Sequence, residues 1–235
     1  SLIKILSDSV VARHLDAVLE ALEGRYESGP GVIRFYGGST FSDSLRTLRA
    51  DTLIYFEDIR EARAIGNVLV SGGERTVTAD RVIYRKADNI IEAAGHVTMR
   101  DDSTRSFVRG ESAVFNDSTG YGIIAGDPYL EHIDGDGVLM TVTASDTLEL
   151  FEEEEIIRMW RNISATRDSL TLTCSDTLEI YNRDNRILLW SNVVAVQDSL
   201  ITRSGRARFE SATETLTLME TPEITYRSAD TREEA

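Results

Sequence analysis

Few residues in this sequence have the types and the spacing that metal binding requires. The three histidines, His14, His96 and His132, stand far apart, and none lies near the single cysteine, Cys174. Zinc sites commonly take their ligands from closely spaced pairs, and neither a His-x-x-x-His nor a Cys-x-x-Cys pair occurs here. The residues therefore argue against a zinc site built by this chain.

Two acidic groups have the residue types that calcium prefers. They are Glu152 to Glu155 and Asp134-Gly135-Asp136. Neither has the ordered ligand spacing of a calcium loop, and both fall at predicted turns, so we interpret them as solvated turn charge. The sequence also lacks a Gly-x-Ser-x-Gly motif, a phosphate-binding loop and a nucleotide fingerprint. We expect no enzyme activity, no metal and no cofactor.

The charge of the chain disfavours two classes of partner. A net charge of −15 is unsuited to nucleic acid, which needs clustered Lys and Arg, and to an anionic membrane surface. No run of about 18 apolar residues is present, so no segment is predicted to span a bilayer as a helix. Cys174 has no partner for an internal disulfide, and its place in an alternating segment predicts an inert, packed thiol.

A repeat of about thirty residues organises most of the chain. Each copy has a first anchor, acidic in five of the six copies, and a second anchor fifteen residues later, which is glycine in the first three copies. The six pairs are Asp51 and Gly66, Asp80 and Gly95, Glu111 and Gly126, Asp146 and Arg161, Asp176 and Ser191, and Gly205 and Glu220. A partial seventh copy ends at Gly37, 29 residues before Gly66.

Apolar residues alternate with polar ones around both anchors, which predicts β-strands with one buried face. In the first copy these apolar positions include Leu53, Tyr55, Ala64 and Val68. Short polar turns separate the strands, and loops of this length join antiparallel neighbours. The copies together predict fourteen or more strands. Both tryptophans, Trp160 and Trp190, directly precede a second anchor, which suggests a corner or a sheet buried on both faces there.

The first thirty residues have a different pattern. Ser7-Asp8-Ser9 offers helix N-caps, and Gly24 is a plausible helix end. Between them, four apolar residues recur at spacings of four and three. They are Val11, Leu15, Val18 and Leu22. We therefore predict a short amphipathic helix that covers one edge of the sheet, with a docking helix for a partner as the alternative.

These patterns divide the chain into three parts. We predict a helix and lead-in over residues 1–29, one continuous β-body over residues 30–226, and a disordered polar tail over residues 227–235. No segment in the middle has the composition of a linker.

The repeated phrases resemble those of the OstA-like family of lipopolysaccharide-transport proteins. The phrases are Ala50-Asp-Thr-Leu-Ile-Tyr55, Ala64-Ile-Gly-Asn-Val-Leu-Val70, Ala79-Asp-Arg-Val-Ile-Tyr84 and Ala93-Ala-Gly-His-Val97. The resemblance covers about Val32 to Tyr226, and the later copies depart from it at Arg161, Ser191 and Glu220. It implies an antiparallel β-jellyroll.

The resemblance also implies a function. Members of the family hold the acyl chains of lipopolysaccharide inside the jellyroll and stack edge to edge across the periplasm. We therefore expect a periplasmic protein, with or without attachment to the inner or outer membrane, that binds this or a related lipid and pairs with itself or other OstA-like jellyrolls. The candidate lipid-contacting residues are Tyr55, Val68, Tyr84, Val97, Phe115, Ile124, Met159, Ile163, Leu189, Val193 and Phe209.

Two alternatives stay open at this stage. Each candidate side chain is equally suited to ordinary core packing. A ligand-free repeat scaffold, or a β-solenoid filament protein with a solid core, also fits a thirty-residue repeat. The acidic charge opposes binding of phosphate-bearing headgroups, so lipid binding would depend on burial of acyl chains.

Overall fold

The computed structural model describes residues 3–133 and 137–226, and within them the chain is an all-β protein. One helical element occurs in these ranges, a single 3-10 turn at Ser211–Thr213. The chain forms two compact units, which meet in sequence between Gly126 and Asp127. The predicted tail, residues 227–235, lies outside the described residues, as do residues 134–136.

Within residues 3–126, the N-terminal unit contains eleven strands. They are β1 (Ile3–Leu6), β2 (Val10–His14), β3 (Ala17–Ala21), β4 (Glu23–Glu27), β5 (Val32–Ser42), β6 (Thr47–Phe56), β7 (Glu61–Gly72), β8 (Arg75–Arg85), β9 (Ile90–Asp101), β10 (Ser106–Asn116) and β11 (Tyr121–Ala125).

The C-terminal unit contains eleven more within the described ranges. They are β12 (Tyr129–Ile133), β13 (Leu139–Thr143), β14 (Thr147–Phe151), β15 (Ile156–Trp160), β16 (Ile163–Arg167), β17 (Leu170–Cys174), β18 (Thr177–Tyr181), β19 (Arg186–Gln197), β20 (Leu200–Glu210), β21 (Thr215–Met219) and β22 (Glu223–Tyr226).

Each unit is an antiparallel, jellyroll-like arrangement of two layers. The long strands β5 to β10 pair in chain order, and their register shifts near the middle, for example between Ile65 and Val68. At this shift a strand leaves one layer and enters the other. Phe41 in one half of β5 packs against Tyr55 and Tyr84, which end β6 and β8 in the other layer, at ring-centroid distances of 5.9 and 6.0 Å. The apolar faces of the two layers therefore meet in a common core.

The same layering recurs in the C-terminal unit with shorter strands. One layer pairs β12, β13, β16 and β17 with the second half of β19, the first half of β20, and β22. The other layer pairs β14, β15 and β18 with the first half of β19, the second half of β20, and β21. Cys174 is buried in this unit, and burial raises the pKa of its thiol to about 11. The thiol is therefore protonated at neutral pH.

The second anchor of every repeat lies at a corner between layers, which explains the spacing found in the sequence. At each corner two consecutive residues adopt positive φ. Gly66 and Asn67 have φ of 79° and 48°, and Ser191 and Asn192 have 67° and 52°. Paired left-handed residues turn the strand sharply, and glycine adopts this conformation without strain. The corner suggested by Trp160 and Trp190 is confirmed, because both directly precede such a pair.

The acidic first anchor contacts the corner from the neighbouring strand. A Cβ atom added to Gly95 would lie 2.8 Å from the Cβ of Asp80, and one added to Gly126 would lie 2.6 Å from the Cβ of Glu111. The last copy reverses the arrangement, because Gly205 now provides the space beside Glu220. The two anchors therefore compete for one space, and in four of the six copies one of them is glycine.

The prediction of an N-terminal helix was wrong. Residues 7–24 instead contain β2, β3 and the start of β4. Asp8, Ser9 and Leu15 have positive φ, which a right-handed helix does not allow. The residues of the supposed apolar stripe lie largely outside the core, since Leu15 is 73% and Leu22 63% exposed. The decisive pattern was the alternation at Ala17, Leu19 and Ala21, all three of which are buried.

Candidate functional site

All eleven candidate lipid-contacting residues have their side chains in the buried interior of their own unit. Each is at most 3% exposed. Tyr55, Val68, Tyr84, Val97, Phe115 and Ile124 lie in the N-terminal unit, and Met159, Ile163, Leu189, Val193 and Phe209 lie in the C-terminal unit. Their burial agrees with the prediction that they face the interior of the β-body. Contact with a lipid stays a prediction for each of them.

The two layers of the N-terminal unit also contact each other on the side opposite their corners. There, polar side chains from the turns of one layer meet polar side chains at the ends of the other layer. We call this line of contacts the N-terminal seam. It consists of His14, Asp16, Asp43 and Arg46 from one layer and Tyr55, Tyr84, Lys86 and Asp117 from the other.

Asp43 is the central residue of this seam. Its carboxylate is fully buried and accepts a hydrogen bond from the Tyr84 hydroxyl at 3.2 Å, with the Lys86 ammonium 3.3 Å away. It also accepts the backbone N–H groups of Leu45 and Arg46 at 2.9 and 3.0 Å, which fixes the turn between β5 and β6. Buried charges of this kind are tolerated only when they are paired and hydrogen-bonded.

Four further contacts extend the seam. The Lys86 ammonium lies 2.6 Å from the Asp16 carboxylate, and this contact holds the pKa of Asp16 below its usual value. Arg46 pairs with Asp117 and lies over the Tyr84 ring, 4.6 Å from its centroid. The His14 Nδ1 atom is 3.1 Å from the Tyr55 hydroxyl. The seam therefore joins the two layers by ionic and hydrogen-bonded contacts, whereas the corners join them covalently.

Burial raises the pKa of Tyr84 to about 12, from about 10 in an unfolded chain. Because the folded value is the higher one, the associated stabilisation is complete below about pH 10 and is lost as the pH rises towards 12. We therefore expect the free energy of unfolding of Tyr84→Phe to decrease less between about pH 10 and pH 12 than that of the unchanged protein. Urea unfolding at several pH values measures the slope, with the exposed Tyr226→Phe as control. Parallel slopes for Tyr84→Phe and the unchanged protein would contradict the assignment.

The C-terminal unit contains a cavity of about 590 Å³ between its two layers. Strands β16, β17, β19, β20 and β22 supply one wall, and the end of β20 with β21 supplies the other. The apolar lining residues are Leu170, Ala195, Leu200, Phe209, Leu216, Leu218 and Ile224. The volume lies within the range of about 300 to 1,000 Å³ that is typical of ligand sites.

The rim of this cavity is polar on the side opposite the corners. Arg167, Asp168 and Ser169 contribute from one layer and Glu214 from the other. The Arg167 guanidinium lies 3.5 Å from the Glu214 carboxylate and 5.6 Å from the centroid of the Phe209 ring. This rim corresponds in position to the N-terminal seam, but it borders an open cavity.

Sequence reasoning identified one residue of this cavity, Phe209, and missed the others. Leu216 and Leu218 occupy the apolar repeat positions of the last copy, so the repeat pattern contained the signal for them. Arg167 and Thr202 carry no such signal, because they lie away from the anchors. Their place in the cavity depends on where the two layers of the C-terminal unit stand apart.

The described residues contain neither a cluster of metal-ligating side chains nor a helix that could span a membrane. No group of three or more His, Cys, Asp and Glu side chains there is arranged to hold a metal ion. Glu152 to Glu155 form the turn between β14 and β15, as the sequence predicted. No helix in residues 3–133 and 137–226 is long and apolar enough to cross a membrane.

Comparison with known proteins gives a limited result. No family model matches the sequence. No curated protein matches it either. Among solved structures, a match is the crystal structure of LptH, the LptA homologous periplasmic component of the conserved lipopolysaccharide transport device from Pseudomonas aeruginosa. The sequences are 10% identical, the match covers 78% of this chain and 95% of that one, and the TM-score is 0.23.

Proposed function

We propose that this protein is a non-enzymatic, periplasmic lipid-binding protein that carries lipopolysaccharide, or a lipid with similar acyl chains, between the inner and outer membranes. The repeated phrases around Asp51 and Asp80, which resemble those of the OstA-like family, support the assignment to this class. The observation that carries the proposal is the cavity of about 590 Å³ with its apolar lining in the C-terminal unit.

Burial of an acyl chain provides enough free energy for binding. Each methylene removed from water contributes about 0.8 kcal/mol, so a chain of about a dozen carbons contributes roughly 10 kcal/mol before the costs of association. Leu216 and Leu218 are half-buried, and Ile224 is 70% exposed, although all three line the cavity. An acyl chain would cover these side chains and remove their apolar surface from water.

The two units contribute differently in this proposal. In the N-terminal unit Tyr55, Tyr84 and Phe41 pack together in the interior, and the N-terminal seam joins the two layers. A lipid enters there only when the layers separate at the seam. In the C-terminal unit the cavity is present without such a separation. We therefore propose that the C-terminal cavity is the first site of lipid binding.

Four edge strands support pairing with a partner. In the described residues β1 pairs only with β4, β2 only with β3, and β21 and β22 each only with β20. An unpaired strand edge is a template for another strand. We propose that these edges join further copies of this chain or other OstA-like jellyrolls.

A ligand-free scaffold is the second candidate function. The filled interior of the N-terminal unit favours it, because a packed core has no space for a lipid. The β-solenoid form of this idea needs parallel rungs, and the registers found between the described strands are antiparallel. The scaffold candidate therefore requires a jellyroll whose C-terminal cavity has no ligand.

Binding of a fluorescent lipopolysaccharide to adjacent variants tests the proposal. Leu218→Asp places a charge in the cavity wall, and Met219→Asp places the same charge on the opposite face of β21, where Met219 is 38% exposed. We expect the unchanged protein to bind the lipid saturably. Leu218→Asp should reduce the affinity at least tenfold, whereas Met219→Asp should change it by no more than about twofold. Circular dichroism is used to check that both variants fold.

The interior candidates are tested in the same assay with Val97→Asp and Ile163→Asp. Loss of binding in folded Ile163→Asp would extend the site into the core of the C-terminal unit, and loss in folded Val97→Asp would extend it to the N-terminal unit. Binding no stronger than to an unrelated β-protein would refute the carrier function and leave the scaffold.

A further inference from the structure

The outward face of one layer in the C-terminal unit carries both tryptophans of the chain. Trp160 lies on β15 and Trp190 on β19, and strand register places Thr177 of β18 between them. The preceding residues, Met159 and Leu189, are at most 1% exposed and face the core, so the indole rings lie on the opposite face. Neighbouring strands are about 4.8 Å apart, which puts the two tryptophan positions roughly 10 Å apart across the sheet.

The two indole rings flank the middle strand and shield it from water. Thr177 faces outward, yet it is only 7% exposed, and its register neighbours on both sides are the tryptophans. Trp160 and Trp190 are themselves half-buried, so part of each ring remains in contact with solvent. The outward face therefore presents two separate aromatic surfaces on one row of the sheet.

A fixed polar cluster borders the tryptophans in the next row. The Arg158 guanidinium donates a hydrogen bond to the Glu179 carboxylate at 2.6 Å and lies 3.7 Å from the Glu149 carboxylate. Glu149 accepts the indole N–H of Trp160 at 2.9 Å, and Glu179 accepts the hydroxyl of Tyr181 at 2.6 Å. These contacts hold a guanidinium group and two carboxylates in place beside the aromatic rings.

This combination of groups is complementary to a sugar. A pyranose ring has C–H groups on its faces and hydroxyl groups at its edge. The faces of indole rings provide apolar contact for the C–H groups, as they do for other flat ligands. Carboxylate oxygens accept hydrogen bonds from hydroxyl groups, and guanidinium N–H groups donate to them, so the cluster can satisfy a hydroxyl in both of its roles.

The charges of the cluster disfavour two other classes of partner. Two carboxylates surround one guanidinium, and this local excess of negative charge opposes an anionic ligand. The centre of a protein–protein interface is depleted of charged residues, and a protein surface placed here would withdraw all three charges from water. Hydroxyl groups of a neutral sugar can replace that water without loss of hydrogen bonds.

We propose that this outward face binds a linear, neutral oligosaccharide of β-linked hexoses. The chain runs across the strands, and two of its rings lie on Trp160 and Trp190. The separation of roughly 10 Å suits alternate rings of an extended β-linked chain. Hydroxyl groups between them contact the Glu149, Arg158 and Glu179 cluster. The apolar cavity lies on the inner side of this layer, so the proposed site is separate from the proposed lipid site.

Tryptophan fluorescence of the full chain is a specific probe of this site, because Trp160 and Trp190 are its only tryptophans. The protein is titrated with cellohexaose, a neutral β-linked chain. We expect a saturable shift of the emission to shorter wavelengths, because the sugar rings displace water from the indoles. Maltohexaose has the same composition but curved α-linkages, and we expect it to bind at least about tenfold more weakly.

Variants of the aromatic residues are compared by isothermal titration calorimetry with cellohexaose. Trp160→Ala and Trp190→Ala should each reduce the affinity about tenfold or more, since each removes one stacked ring. Trp190→Phe keeps an aromatic ring and should recover part of the loss. Phe56→Ala is the matched control, because Phe56 is a half-buried aromatic residue of the N-terminal unit that also lies beneath an arginine, Arg63. The control should not change the affinity.

Several outcomes would overturn the inference. They are no saturable fluorescence change with cellohexaose, equal affinities for cellohexaose and maltohexaose, and unchanged affinity in folded Trp160→Ala and Trp190→Ala. If these variants instead reduce the mass of the particle in solution, the face is an interface with a second copy, which also refutes the saccharide site. Leu218→Asp, the cavity variant, should leave cellohexaose binding unchanged, so failure of the lipid site and failure of the saccharide site are distinguishable.

Discussion

Gly95→Ala is expected to lower the free energy of unfolding by about 3 kcal/mol, as measured by urea unfolding. Two physical terms contribute. A residue with a side chain pays about 1 to 2 kcal/mol in the left-handed conformation that Gly95 adopts at φ 79°. The added Cβ would lie 2.8 Å from the Cβ of Asp80, and overpacking of this kind costs about 1 to 3 kcal/mol.

Gly73→Ala is the matched control for the conformational term alone. Gly73 also has positive φ, 57°, but apart from Gly73 and its chain neighbours no atom of the described residues lies within 4 Å of the position of an added Cβ. We therefore expect Gly73→Ala to cost about 1 kcal/mol. The difference between the two variants isolates the contact with Asp80.

The double variant Asp80→Gly/Gly95→Ala tests whether the two anchors compete for one space. It reproduces the reversed arrangement of Gly205 and Glu220 in the last copy. We expect it to recover at least about 1 kcal/mol relative to the sum of the single variants, a coupling typical of residues in contact. Additive losses would refute the steric explanation of the fifteen-residue spacing.

Asp43→Asn is the second change for which we expect a large effect, a loss of about 3 kcal/mol in the free energy of unfolding. The asparagine oxygen can still accept the two N–H groups of the turn. The substitution removes the negative charge that lies 3.3 Å from the buried Lys86 ammonium. The NH2 group of the asparagine also cannot accept the hydrogen bond that the Tyr84 hydroxyl donates to Asp43. Denaturant unfolding near neutral pH measures the loss.

Asp16→Asn is the control for Asp43→Asn, because it removes a carboxylate that contacts the same ammonium at 2.6 Å. The Asp16 side chain is 46% exposed, and exposed ion pairs contribute little. We expect Asp16→Asn to cost well under half as much as Asp43→Asn. Equal losses would mean that burial does not determine the strength of the seam.

Local sequence patterns were sufficient to predict the strands of the repeats, and they suggested the corners at Trp160 and Trp190. The fifteen-residue interval between Asp51 and Gly66 separates two residues that meet at one corner. The corner is therefore visible in the sequence as a fixed spacing. Alternation predicted the buried face correctly for Tyr55, Phe115 and Phe209. Each of these features depends on residues in the same or a neighbouring repeat.

The N-terminal strands could not be assigned in this way, because residues 10–22 contain two competing patterns. Val11, Leu15, Val18 and Leu22 fit a helix, whereas Ala17, Leu19 and Ala21 fit a strand. The pairing of Leu19 with Phe41 in β5 buries the second set and exposes most of the first. Contacts between distant parts of the chain therefore override the local helical pattern.

The cavity is equally a product of distant contacts. The leucines that line it do not differ by type or spacing from the leucines that fill a core. The exposure of Ile224 and the burial of Arg167 depend on how β16, β20, β21 and β22 are placed in the two layers. The sequence predicted an apolar interior, and only the arrangement of the strands shows which part of it is open.

The regular corners also constrain how proteins of this architecture change in length. In the part of the chain that the structure describes, strands β6 to β9 pair only with their neighbours along the chain. Equivalent corner residues such as Gly66 and Gly95 are 29 positions apart. Loss of one whole repeat would bring equivalent strands together in the same register, with the same residue types at the join. Loss of an odd number of residues within a strand would turn the following apolar side chains towards solvent. Duplication and loss of whole repeats are thus the changes in length that this architecture tolerates.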